Sequence, residues 1–134
     1  RRRDWDRLGG FDSRFFMYAE EADLCYRAVK LGAKPLFTPG ASIIHLEGAS
    51  ENIRADKVIR LYRGKSTYIR KHWPSWKAAA GIGLLKFNSL LRAFAYQSSA
   101  IMRRNPVHQL TGAEWQRVWR ERKAWGKGYP PVIE

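Results

Sequence analysis

A chain of 134 residues, 45% of them hydrophobic and 13% aromatic, can bury one core, which excludes disorder throughout. The single cysteine, Cys25, excludes an intramolecular disulfide and a cysteine-based zinc site, and fits a reducing compartment. The formal net charge is +13, yet residues 1–52 hold eight basic and eight acidic side chains, so the whole excess falls in residues 53–134 and points to a polyanionic partner or an anionic membrane surface.

The opening "RRRDWDRLGGFD" reads as the end of a short helix running into a Gly-Gly turn, and upstream sequence is expected to precede it. Glu20 to Leu31 reads as a helix, with Leu24, Ala28 and Leu31 forming an apolar stripe and Gly32 ending it. "AKPLFTPG" and "ASIIHLEG" read as two strands at about 34–47, the second centred on Ile43 and Ile44, so the expected class is a mixed α/β layer. Beyond Ser50 the texture turns helical and basic. One helix covers 54–73, with Gly64 weakening its middle and Pro74 ending it. A long amphipathic helix follows to about Arg104, then a loop "NPVHQLTG", then a basic helix carrying Trp115, Trp119 and Trp125. Thr111 with Glu114 forms a capping-box pattern at its start. No uninterrupted apolar run is long enough for a spanning helix.

Glu20, Glu21 and Asp23 crowd the first turn of the 20–31 helix, with Asp12 nearby. Acids there favour the positive end of the helix dipole, each by roughly 0.3–1 kcal/mol, and that alone could explain them. Clustered carboxylates also raise one another's pKa, which a general base can use and a cap does not need. His45 has the same two faces: a rim histidine without a role, or a ligand.

The run "GGFDSRFFMYAEEADLCYR", followed by Gly32, Pro39 and "IIHLEGAS", resembles the C-terminal half of the catalytic domain in family 2 glycosyltransferases, the inverting GT-A class. The bacterial rhamnosyltransferase-type branch is the most similar. Its usual pattern is G-G-F-D-x-x-F-F-x-Y-x-E-D-x-D-L-x-x-R, then a His with Gly three residues on. The likeness spans about residues 1–50 and implies two parts: the acceptor-and-base half of a GT-A domain over 1–52, and a basic helical extension over 53–134. It places Glu21 where the family has its base, Glu in place of Asp, with Glu20 and Asp23 beside it in the catalytic cluster. It puts Asp12 and Arg27 on the acceptor side, Asp23 and Arg27 pairing at i, i+4. His45 would help hold a divalent metal, Mg²⁺ or Mn²⁺, and Gly48 would lie against the donor phosphates. The implied partners are a nucleotide-sugar donor and a lipid-linked or saccharide acceptor. The family's upstream Asp-x-Asp and nucleotide-binding region have no counterpart in these residues, so the chain alone is expected to be inactive.

For the basic part, the resemblance implies a cytoplasmic protein, attached peripherally to the inner membrane face through residues 73–125. The competing class is a nucleic-acid-binding module, compatible with the charge and the interleaved Trp and Tyr. It lacks a recognisable motif and leaves the carboxylates unexplained.

Overall fold

Residues that end and begin helices divide the chain cleanly. A computed structural model describes residues 1–130 apart from 35, 37, 38, 41, 43, 45–53, 104 and 105. Among these described residues six helices follow in order: α1 (Arg2–Leu8), α2 (Glu20–Lys30), α3 (Arg54–His72), α4 (Ser75–Arg103), α5 (Pro106–Arg120) and α6 (Arg122–Trp125). Gly9, in the left-handed region at φ 73°, closes α1 with its N–H on the carbonyls of Trp5 and Asp6. Pro74 separates α3 from α4, as its missing N–H requires.

The α/β expectation is corrected here: among the described residues all regular structure is helical and none is a strand. The segments read as strands lie partly outside the described residues. The parts that are described bury nothing, Leu36 being 88% and Ile44 91% exposed. A strand must pair its backbone groups with a neighbour, and no described residue offers a second strand. The loop expected at 105–112 is also largely helix, because α5 starts at Pro106. Proline is tolerated in the first helical turn, and Thr111 therefore lies inside the helix rather than capping it.

The core belongs to α3–α6. Ile59 and Tyr62 of α3, Ala93 of α4, Trp115 and Val118 of α5 and Trp125 of α6 form one buried cluster. Trp125 is completely buried, edge-on to Tyr62 at 4.9 Å, and its indole N–H donates to the Val118 carbonyl at 2.8 Å. Tyr62 donates from its hydroxyl to Asn88 at 3.0 Å, so the polar tips of both rings are satisfied. Small residues on α4, Ala78, Ser89, Ala93 and Ala100, form its buried side and let neighbouring helices approach.

Residues 11–19 lie on α3. Tyr18 and Ala19 both have positive φ, 68° and 73°, a conformation that costs roughly 1–2 kcal/mol for a residue with a Cβ. Gly64 accommodates them. A Cβ there would press into the Tyr18 carbonyl oxygen and lie 3.1 Å from that of Met17. Glycine in the middle of α3 is thus a close-approach position, not a weak point. Gly64→Ala is expected to cost about 1–3 kcal/mol through this overlap, despite alanine's better helix propensity. Urea denaturation checks it, and unchanged or increased stability would refute the close approach.

Candidate functional site

The first turn of α2 presents three carboxylates in three different settings. Asp23 is fully buried and fully engaged. Its Oδ2 accepts from Arg27 Nε at 2.8 Å, the i, i+4 pair. Its Oδ1 meets Lys71 Nζ at 2.5 Å and His72 Nε2 at 2.7 Å, both from the end of α3. The carboxylate can only accept, so His72 carries its proton on Nε2. The His72 ring is wedged between Tyr26 and Tyr68, with centroids 4.4 and 4.8 Å away. Burial pushes the Asp23 carboxyl up, but the bonds from Lys71, Arg27 and His72 outweigh it and hold the group ionised below its usual range.

This cluster extends in two directions. Arg27 also donates to the carbonyls of Leu8 and, at 2.7 Å, Gly10, binding the otherwise open C-terminus of α1. Lys71 bridges to Asp12 Oδ2 at 2.6 Å. Asp12 in turn holds Arg14, taking three guanidinium contacts of 2.7–3.1 Å and the Arg14 backbone N–H at 2.9 Å. Hydrogen bonds from Arg14, and then Lys71, keep the Asp12 carboxyl far below the ordinary carboxylate range.

The two glutamates stand apart from this network. Glu20 is half-buried, and its Oε2 is enclosed without a hydrogen-bond partner. Glu21 is exposed at the edge of a cavity of about 330 Å³, lined also by Ala22, Leu61, Lys65, Tyr68 and Ile69. The structure therefore brings Asp12, Asp23 and Arg27 together and leaves Glu21 facing open space. His45 and Gly48 lie outside the described residues. Among those described, no group of three or more His, Cys, Asp or Glu side chains could hold a metal ion, and Asp12 and Asp23 are already taken by cations. The residue expected to hold the divalent metal, His45, is not among the described residues.

Lys71, His72 and Arg14 were not foreseen as site residues. Lys71 and His72 sit 59 and 49 positions from Asp12 and Asp23, so no local pattern could pair them. Arg14, two residues after Asp12, was the one legible signal.

A second surface is apolar. Trp76, Leu84, Phe87, Leu91, Phe94 and Ile101 are 49–74% exposed. At 3.6 residues per turn they fall within an arc of about 100° along α4. Lys77 and Lys86 flank that arc on its two sides. No helix among the described residues is long and apolar enough to cross a membrane. Two of the tryptophans in the basic region, Trp115 and Trp125, are core residues and cannot stack on bases.

The chain is 35% identical over 81 residues to N-acetylglucosaminyl-diphospho-decaprenol L-rhamnosyltransferase of Mycobacterium tuberculosis, in both strain CDC 1551 / Oshkosh and strain ATCC 25618 / H37Rv. The match covers 58% of this chain and 26% of that protein. The chain thus spans about a quarter of the length of these curated relatives. No family model matches, and neither does a solved structure. The likeness establishes a partial relationship to a glycosyltransferase.

The ion cluster predicts a specific acid sensitivity. A carboxylate whose folded pKa is depressed contributes stability above its unfolded value, near 4, and loses it as pH falls towards the folded one. Asp23→Asn is expected to lose about 3–5 kcal/mol at pH 7, leaving buried cations uncompensated, and to flatten the loss of stability below about pH 4. Urea titrations from pH 7 to pH 2.5 measure both, and a wild-type acid limb retained in the variant would contradict the assignment.

Proposed function

We propose that the protein carrying this chain transfers a sugar from a nucleotide-diphosphate donor to a hydroxyl of a lipid-linked acceptor, with inversion, and that Glu21 is the general base. The observation that carries this reading is the division of labour among the acids of α2. Asp23 has both oxygens engaged by cationic side chains or an imidazole N–H and serves to position the helix. Glu21 alone of the three is exposed, and it borders a cavity. A sugar hydroxyl is a poor nucleophile until its proton is removed, and a base must be reachable by that hydroxyl. Glu21 would take the proton as the acceptor oxygen attacks the anomeric carbon, and the nucleotide diphosphate would leave from the opposite side. The lipid-diphospho acceptor in the name of the mycobacterial relatives supports the acceptor class.

The test is transfer from a nucleotide sugar by the full-length protein, assayed with and without Mg²⁺ or Mn²⁺. Glu21→Gln keeps the shape and removes the base, and is expected to lower kcat by about 10²-fold or more with donor binding retained. Unchanged turnover would return Glu21 to a helix-start charge.

The exposed stripe of α4 favours a companion reading, peripheral attachment to an anionic bilayer. An apolar arc flanked by lysines, on a chain whose excess positive charge is all in residues 53–134, fits an interfacial helix. Each basic residue near such a surface adds about 1 kcal/mol. The chain is expected to sediment with phosphatidylserine vesicles at low salt, and Phe87→Glu with Phe94→Glu to abolish this. Binding no stronger than to neutral vesicles would refute the attachment. A concentration-dependent dimer abolished by the same changes would assign the stripe to a second copy instead.

A further inference from the structure

A cavity of about 200 Å³ lies where α3 meets the tail after α6, and four of its six lining side chains are cations: Arg14, Arg70, Lys71 and Lys127, with Thr67 and Tyr129 completing the wall. Like charges do not gather in one small space without a reason. Among the described residues, the acids paired with this group are Asp12, which holds Arg14 and Lys71, and Asp23, which Lys71 shares with Arg27 and His72. Positive charge is therefore in excess at the cavity, and nothing in the catalytic reading uses it.

The cations are also held in place. Arg70 donates from Nε and Nη2 to the Gly126 carbonyl at 3.1 and 2.9 Å. The Tyr129 N–H donates to Thr67 Oγ1 at 2.8 Å, and the Tyr129 hydroxyl donates to the Met17 carbonyl at 3.0 Å. Gly128, at φ 83°, lies so close to Thr67 that a Cβ would sit 2.7 Å from its Oγ1. These contacts fasten the tail on both sides of Lys127. Among the described residues, Nη1 of Arg14 and of Arg70 makes no hydrogen bond, and Lys127 is exposed and makes no ion pair. The site keeps unused charged donors on a rigid frame, which is the arrangement that binds a phosphate-type oxyanion.

We infer that this cavity binds a diphosphate group through Arg14, Arg70, Lys71 and Lys127. The group could arrive free or as the headgroup of a lipid diphosphate, and only the lipid case rests on the acceptor proposed above. Calorimetric titration with pyrophosphate, at constant ionic strength, tests the chemistry directly. Lys127 is exposed, so Lys127→Glu leaves the packing intact. It is expected to weaken pyrophosphate binding by about tenfold or more, while Lys57→Glu, the same charge change on an exposed position of α3, has an effect of no more than about twofold. Absence of saturable binding, or equal weakening by the two variants, would overturn the site. The source follows from neutral vesicles carrying a polyprenyl diphosphate. Capture sensitive to Lys127→Glu assigns a lipid headgroup, and capture insensitive to it, with pyrophosphate binding still sensitive, assigns a soluble diphosphate. The pyrophosphate measurement needs neither sugar transfer nor membrane attachment, so its failure leaves the role of Glu21 standing, and an active Glu21→Gln enzyme would leave this site standing.

Discussion

One buried negative charge organises the contact between the charge-balanced first part and the basic second part of the chain. Asp23 takes Arg27 from its own helix and Lys71 and His72 from α3, and Arg27 passes the connection on to the end of α1. Burying a carboxylate is costly, and the cost is offset only when its lone pairs are met in good geometry. Here they are. The orientation of α2 on α3, and with it the direction in which Glu20 and Glu21 point, follows from satisfying that one group.

This arrangement separates holding from presenting. Residues that a chemist would first suspect of reactivity, an aspartate beside a histidine, are locked against a lysine and an arginine and form a scaffold. Glu21 is exposed, makes no such contact among the described residues, and borders an open cavity. The strained pair Tyr18–Ala19, tolerated because Gly64 has no side chain, turns the chain into α2 just ahead of these acids. Backbone strain of this kind persists only where the surroundings over-determine it. The partial relationship to a glycosyltransferase gives that geometry a chemical context.

Much of the helical order was legible locally. Gly9 and Pro74 act through a single residue's backbone, and the i, i+4 spacing of Asp23 and Arg27 is a property of one helix. What depended on distant partners was not legible. Ile43 and Ile44 favour a strand, but β-branching cannot supply the neighbouring strand, and no described residue does so. Pro106 looked like the middle of a loop because proline marks both loops and first helical turns. Gly64 looked like a helix-weakening residue, since only the path of residues 17–18 shows what it makes room for. That Asp23 is buried against Lys71 and His72 while Glu21 is exposed could not be read until the end of α3 was placed.

The bond from the Tyr129 hydroxyl to the Met17 carbonyl joins residues 112 positions apart. On a ribosome, the loop that leads into α2 is made early, and the tail that fastens it emerges after every helix of the bundle. The nascent chain therefore carries the acidic segment without this latch until synthesis has passed Tyr129, and closing so long a span is entropically slow. A partly made chain therefore holds the segment ahead of α2 only through its contacts to α3, and gains the Tyr129 contact once the helices have been made.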